Sequence, residues 1–158
     1  MLKMYPNPIA HTSFKHPHGC LLQLLDIIKK DELHHPTMLN TNGKECLLVV
    51  KNGKSTSMTI SCATGIMPFV CEYFKDSTQE TSMELAIYSY GNKDSAFSTL
   101  GDSGSIIADG KGHIVGLLTS GASQTDSTNI TYTTPCYWLI DEHMKAHFPN
   151  AYLYLVMA

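Results

Sequence analysis

From residue 45 onward apolar and polar side chains alternate over short runs, the two-residue period of half-buried strands rather than the 3.6-residue period of helices. Glu45 to Lys51 carries the apolar run Leu47-Leu48-Val49-Val50, and Asn52-Gly53 supplies a left-handed turn. Thr56, Met58, Ile60 and Cys62 then alternate with Ser57, Thr59 and Ser61, which reads as a hairpin with one buried face. Further strands are expected at about Met67 to Phe74, at Ser105 to Ala108, and at Met83 to Tyr90, where Met83, Leu85 and Ile87 alternate with Glu84, Ala86 and Tyr88. Asp109-Gly110-Lys111-Gly112 turns the chain into Ile114 to Thr119. A last strand, Ile130 to Thr133, leads to Thr134 as a helix N-cap with Pro135 at the first helical position. The closing helix carries Tyr137, Ile140, Met144 and Phe148 on one face and stops before Pro149.

Six or seven short strands followed by one helix predict an all-β fold, an antiparallel six-stranded β-barrel with a C-terminal helix. Residues 1–44 differ. Pro6, Pro8, Pro17 and Pro36 interrupt them and five of the eight histidines fall there, so an irregular N-terminal arm is expected. Within it Leu21, Leu22, Leu25 and Ile28 recur at helical spacing and predict a short amphipathic helix. The expected organisation is an arm over 1–44, the barrel with its helix over 45–148, and a tail over 149–158. Tyr88, Tyr90, Tyr132, Tyr137 and Trp138 are read as packing residues.

The chain has 158 residues, enough for one core, and its 16% charged and 43% hydrophobic residues belong to a folding chain rather than a solvated one. A net charge of -3 without a dense basic run argues against nucleic acid as a partner. Leu21 to Ile28, the longest apolar stretch, is broken by Gln23 and Asp26 and falls short of the ~20 residues that cross a bilayer, so no membrane partner is expected. Met1 to Pro6 lacks the apolar core of a secretory signal, which leaves the cytoplasm as the default compartment. Cys20, Cys46, Cys62, Cys71 and Cys136 are odd in number and contain no Cys-x-x-Cys pair; they read as reduced thiols, not as a disulfide framework or structural zinc. His16-x-His18-x-Cys20 has zinc-type side chains but no second tight pair, so neither a metal nor a cofactor is expected. Asn129-Ile130-Thr131 matches a glycosylation sequon and is read as an ordinary strand start.

The segment richest in chemistry is Gly101-Asp102-Ser103-Gly104-Ser105-Ile106-Ile107, followed after a turn by Val115-Gly116-Leu117-Leu118-Thr119-Ser120-Gly121. A serine nucleophile needs an exposed hydroxyl on a tight turn whose N–H groups converge on the developing oxyanion, and flanking glycines let the backbone approach a substrate. The same four residues Gly-Asp-Ser-Gly also make an ordinary turn, and Asp102 is read as a structural residue accepting backbone hydrogen bonds. Taken with their order along the chain, these segments resemble the C-terminal half of trypsin-like (chymotrypsin-fold) serine peptidases. The passage from Thr131-Tyr132-Thr133-Thr134-Pro135 into a helix is similar to trypsin-like domains predicted in fungal genomes. The resemblance spans residues 45 to 148 and implies peptide-bond hydrolysis through an acyl-enzyme. By it Ser103 is the nucleophile, the N–H groups of Gly101 and Ser103 form the oxyanion hole, and Thr119, Ser120 and Gly121 pair with a peptide or protein substrate. It also places Phe97 at the base of a specificity pocket, where an apolar residue does not favour Lys or Arg substrates.

A serine hydroxyl needs a general base and an orienting acid. The resemblance assigns both to an N-terminal barrel, for which 44 residues are too few. His11, His16 and His18 precede Asp26 and Asp31, and these with His34 and His35 precede Ser103, which could imitate the order His, Asp, Ser, but an irregular arm offers no evident way to hold them; His113 reads as an exposed turn residue. Two expectations follow. The chain is a serine endopeptidase domain that is incomplete or inactive by itself, or it is a non-catalytic pseudopeptidase that binds extended peptides. In either case a partner N-terminal barrel, self-association or the Leu21 to Ile28 stretch covers the open face.

Overall fold

The computed structural model describes residues 22–39, 43–89, 96–121 and 130–153. Its elements in chain order are β1 (Asp26–Ile27), α1 (Lys30–His34), β2 (Leu47–Gly53), β3 (Ser57–Ala63), β4 (Phe69–Tyr73), β5 (Gln79–Met83), β6 (Leu85–Ser89), β7 (Ile106–Asp109), β8 (His113–Gly121), β9 (Ile130–Pro135) and α2 (Lys145–His147), the last preceded by a π-helical segment, Trp138–Met144. One sheet runs in the order β1-β8-β7-β2-β3-β6-β9, and β8 also pairs with β9. Six antiparallel strands therefore close into the expected barrel. β1 stands outside the closed ring, parallel to β8, with Ile27 opposite Ile114.

β2 and β3 pair without interruption from Leu47 opposite Ala63 to Gly53 opposite Ser57. The strand thus passes straight through Asn52-Gly53, and Lys54, Ser55 and Thr56 reverse the chain, with Ser57 taking a positive φ of 55°. Gly53 is required for a reason other than turning: a Cβ there would lie 2.8 Å from Lys51 Nζ and closer still to Asp102 Oδ1. The inward face of β3 is also the more polar one, Thr59, Ser61 and Ala63, while Met58 is 72% exposed. Those inward hydroxyls are satisfied: Thr59 Oγ1 donates to the Phe97 carbonyl at 2.7 Å and Ser61 Oγ to the Tyr88 carbonyl. Leu47, Val49, Ala63, Leu85, Ile87, Phe97, Ile107 and Val115 fill the rest of the barrel.

The arm contributes to that core. Residues 26–27 are extended rather than helical because their backbone finds partners on β8: Leu25 N–H donates to the Gly112 carbonyl and Ile28 N–H to the Ile114 carbonyl, both at 3.0 Å. The helix comes later, as α1, and Leu33 and Ile28 pack among the barrel residues. Leu21 lies outside the described residues, as do Cys20, Tyr90 and Asn129. At the other end Thr134 and Pro135 still belong to β9, opposite Leu117 and Gly116, so they do not cap the helix. Tyr137 and Ile140 are buried on the barrel, whereas Met144 and Phe148 face solvent and so does part of Trp138. No described helix is long and apolar enough to cross a membrane.

Candidate functional site

The turn before β7 is built by its own hydrogen bonds. Asp102 N–H donates to the Thr99 carbonyl and Ser105 N–H to the Asp102 carbonyl, each at 3.1 Å, and Ser105 Oγ donates to the Asp102 carbonyl at 2.6 Å. Gly101 and Gly104 take φ values of +97° and +83°, which only glycine adopts without strain. These two reversals send neighbouring side chains to opposite sides: Asp102 is fully buried and Ser103 is exposed.

Asp102 is the anchor. Its Oδ1 accepts from the N–H groups of Ser55 at 2.7 Å and Thr56 at 3.3 Å; its Oδ2 accepts from Thr56 Oγ1 at 2.6 Å, Lys51 Nζ at 3.0 Å and the Thr99 N–H at 3.2 Å. Ser55 Oγ adds a bond to the Leu100 carbonyl at 2.8 Å. Burial alone would raise the Asp102 carboxyl, but the donors of Thr56, Ser55, Lys51 and Thr99 outweigh it and hold the group well below the usual carboxylate range. The β2–β3 turn and the Ser103 turn are therefore one clamped unit. The reading of Asp102 as a structural acceptor holds, but Lys51, Gly53, Ser55 and Thr56 were not legible as its partners. The available signal was phase, since Lys51 falls on the same strand face as Leu47 and Val49.

Ser103 Oγ donates toward the carbonyls of Thr119, 3.1 Å away, and Leu118, 3.4 Å away. Gly104 N–H to the Leu118 carbonyl at 2.8 Å and Leu118 N–H to the Ser105 carbonyl at 3.0 Å extend the β7–β8 ladder up to the turn. The N–H groups of Gly101 and Ser103 take no part in these bonds. Beyond Leu118 the edge of β8 facing Ser103 has lost β7, while on its other edge Ser120 and Gly121 pair with Tyr132 and Thr131. Thr119 sits at the irregularity between them, its Oγ1 donating to the Tyr132 carbonyl at 3.1 Å. Ser103, Gly101, Thr119, Ser120 and Gly121 are thus gathered at one exposed rim.

Phe97 is not at that rim. It is 1% exposed, and its ring packs among the core side chains of the barrel with Lys51 Nζ 5.5 Å from its centroid. Its ring supports the buried amine.

Among the described residues no histidine bonds Ser103. His113 Nδ1 lies 2.9 Å from Asp109 Oδ2, whose other oxygen accepts from the N–H groups of Lys111 at 2.9 Å and His113 at 2.8 Å. His113 opens β8 and Thr119 stands six residues further along it, which at about 3.3 Å per residue puts the pair ~20 Å from the Ser103 rim. His35 borders a small cavity of 100 Å³ with Asp109 and Lys111, at the same far end. His143 stacks on Trp138 at 5.5 Å and meets His147 edge-on at 5.4 Å. His11, His16 and His18 lie outside the described residues. Among the described residues no three His, Cys, Asp or Glu side chains are grouped to hold a metal ion. No protein-family model matches this chain, and no curated protein matches it.

Proposed function

We propose that this barrel is the nucleophile half of a trypsin-like serine endopeptidase, with Ser103 attacking a peptide carbonyl to form an acyl-enzyme. The observation that carries the reading is the opposed facing of Asp102 and Ser103: a carboxylate with five donors fixes the turn from inside while the next residue offers its hydroxyl to solvent. The N–H groups of Gly101 and Ser103 then stabilise the oxyanion, and the bare edge at Thr119 to Gly121 pairs with the peptide as an added strand. The base that takes the Ser103 proton comes from outside the described residues, in this chain or in a partner barrel. Losing that base costs a serine peptidase about a millionfold in kcat, so the described barrel is incomplete by itself.

A second reading is a non-catalytic peptide-binding module. It is favoured by the Ser103 hydroxyl being directed at the Thr119 and Leu118 carbonyls instead of an imidazole. Native mass spectrometry of the purified chain after exposure to a fluorophosphonate probe separates the two. A single adduct absent from Ser103→Ala supports an activated serine with its base in the chain or its oligomer. A folded chain that stays unlabelled overturns self-sufficient catalysis by this chain and leaves either the binding module or a half-enzyme that needs a partner barrel to supply its base.

A further inference from the structure

We infer that Cys46 and Cys62 form a modification site, a dithiol that a low-molecular-weight disulfide converts to an intramolecular Cys46–Cys62 disulfide. Their sulfur atoms lie 3.2 Å apart. Both side chains are buried, at 0% and 5% exposure, on the outer face of the β2–β3 hairpin with Leu48, under Met38. The strand register sets Cys62 opposite Leu48, so Cys46, two residues earlier, is its diagonal neighbour on the same face. The diagonal placement brings the two sulfurs into contact across the strand pair. Cys71 is exposed and Cys136 is buried against Ile114 and Ile140, in a different cluster.

The pair is also polarised. The hydrogen bond between the two sulfurs lowers the Cys46 thiol below its ordinary value against the effect of burial, while that bond and burial together push Cys62 up. With Cys46 attacking and Cys62 resolving, the exchange runs as two successive displacements. Cys46 N–H donates to the Met38 carbonyl at 2.8 Å, and a bridge joins Leu39 to Glu45. Local opening around Met38, which packs on the pair, admits the reagent. Cys46 sulfur attacks one sulfur of the external disulfide RSSR, forming Cys46–S–S–R and releasing RS⁻, which takes up a proton. Cys62 then loses its proton and attacks Cys46 sulfur, displacing the second RS⁻. Two thiols are oxidised, one external disulfide is reduced to two thiols, and no other reactant is needed.

The test incubates the full chain with oxidised glutathione, then maps its peptides by mass spectrometry with and without dithiothreitol. The expected result is one peptide pair joined through Cys46 and Cys62, lighter by two hydrogens and restored by the reductant. In Cys62→Ser the intermediate has no resolving thiol, so glutathione stays attached at Cys46. Recovery of Cys46 and Cys62 as free thiols, as separate glutathione adducts, or paired with other cysteines overturns the assignment. Should Cys62→Ser fail to fold, Cys62→Ala gives the same reading, and the peptide map of the unaltered chain decides by itself.

Discussion

Lys51 Nζ meets Asp102 Oδ2 at 3.0 Å with both side chains at zero exposure, so a charge pair inside the barrel ties β2 to the turn that presents Ser103. Removing one partner leaves the other charged, desolvated and unpaired, which costs about 3–5 kcal/mol. Asp102→Asn should lower the unfolding free energy by that amount in urea titration. Ser103→Ala, which removes only an exposed hydroxyl, should cost less than about 1 kcal/mol. Comparable losses in the two variants would mean that the inner and outer sides of the turn are not separable.

The same carboxylate sets a pH dependence. Its folded value lies below the unfolded one of about 3.9, so the folded state binds fewer protons and the stabilisation is complete above that unfolded value. It is lost as pH falls from about 4 toward the lower folded value. Urea midpoints measured from about pH 5 to pH 2 should drop more steeply in the unaltered chain than in Asp102→Asn.

Gly53→Ala tests the close approach of the clamp. The added Cβ meets Lys51 Nζ at 2.8 Å and the Asp102 carboxylate more closely, both buried and unable to withdraw, so a loss of about 1–3 kcal/mol is expected. Gly104→Ala has nothing within 4 Å of its Cβ and only its φ of +83° to oppose it, so about 1 kcal/mol is expected there. Thermal unfolding of both variants ranks them.

Two neighbouring inward threonines of β9 should respond differently to the isosteric change to valine. Thr131 Oγ1 lies 2.6 Å from Ser98 Oγ, so Thr131→Val strands a buried hydroxyl and should cost about 1–3 kcal/mol. Thr133 Oγ1 has no hydrogen-bond partner among the described residues, so Thr133→Val should be neutral or stabilising. Chemical denaturation distinguishes the two signs.

Leu33→Ala should cost about 2–5 kcal/mol because Leu33 is completely buried with the barrel residues, whereas Leu25→Ala, at 55% exposure, should change little. Equal small effects would show that α1 is not part of the core.

Strand periodicity made much of the barrel legible: Leu85 and Ile87 are inside as their alternation indicates, although Met83 of the same set ends β5 half exposed and Glu84 and Ala86 are buried as well, and β7, β8 and β9 fall close to where apolar runs end in turn residues. Periodicity failed where inward positions are polar. On β3 the apolar set Met58 and Ile60 points away from the interior because Thr59 and Ser61 have acceptors waiting there, a fact set by chain segments 27 to 38 residues distant. Leu22 to Ile28 shows the second failure, since helical spacing in isolation yields to the unpaired edge that β8 offers. At the site, the outward residues were readable from a local motif, but the buried clamp joins residues about fifty positions apart and has no local signature.

The parallel pairing of β1 has a consequence for how the chain assembles. Asp26 waits for His113, and Ile27 for Ile114, 87 positions further along in each case, whereas β2–β3 and β7–β8 are hairpins that form at short range. Closing so long a loop comes late on entropic grounds, after the hairpins exist to receive it. During synthesis Ile28 and Leu33 therefore leave the ribosome well before their docking surface does. Their apolar side chains are exposed for that interval, and β8 is the strand whose arrival ends it.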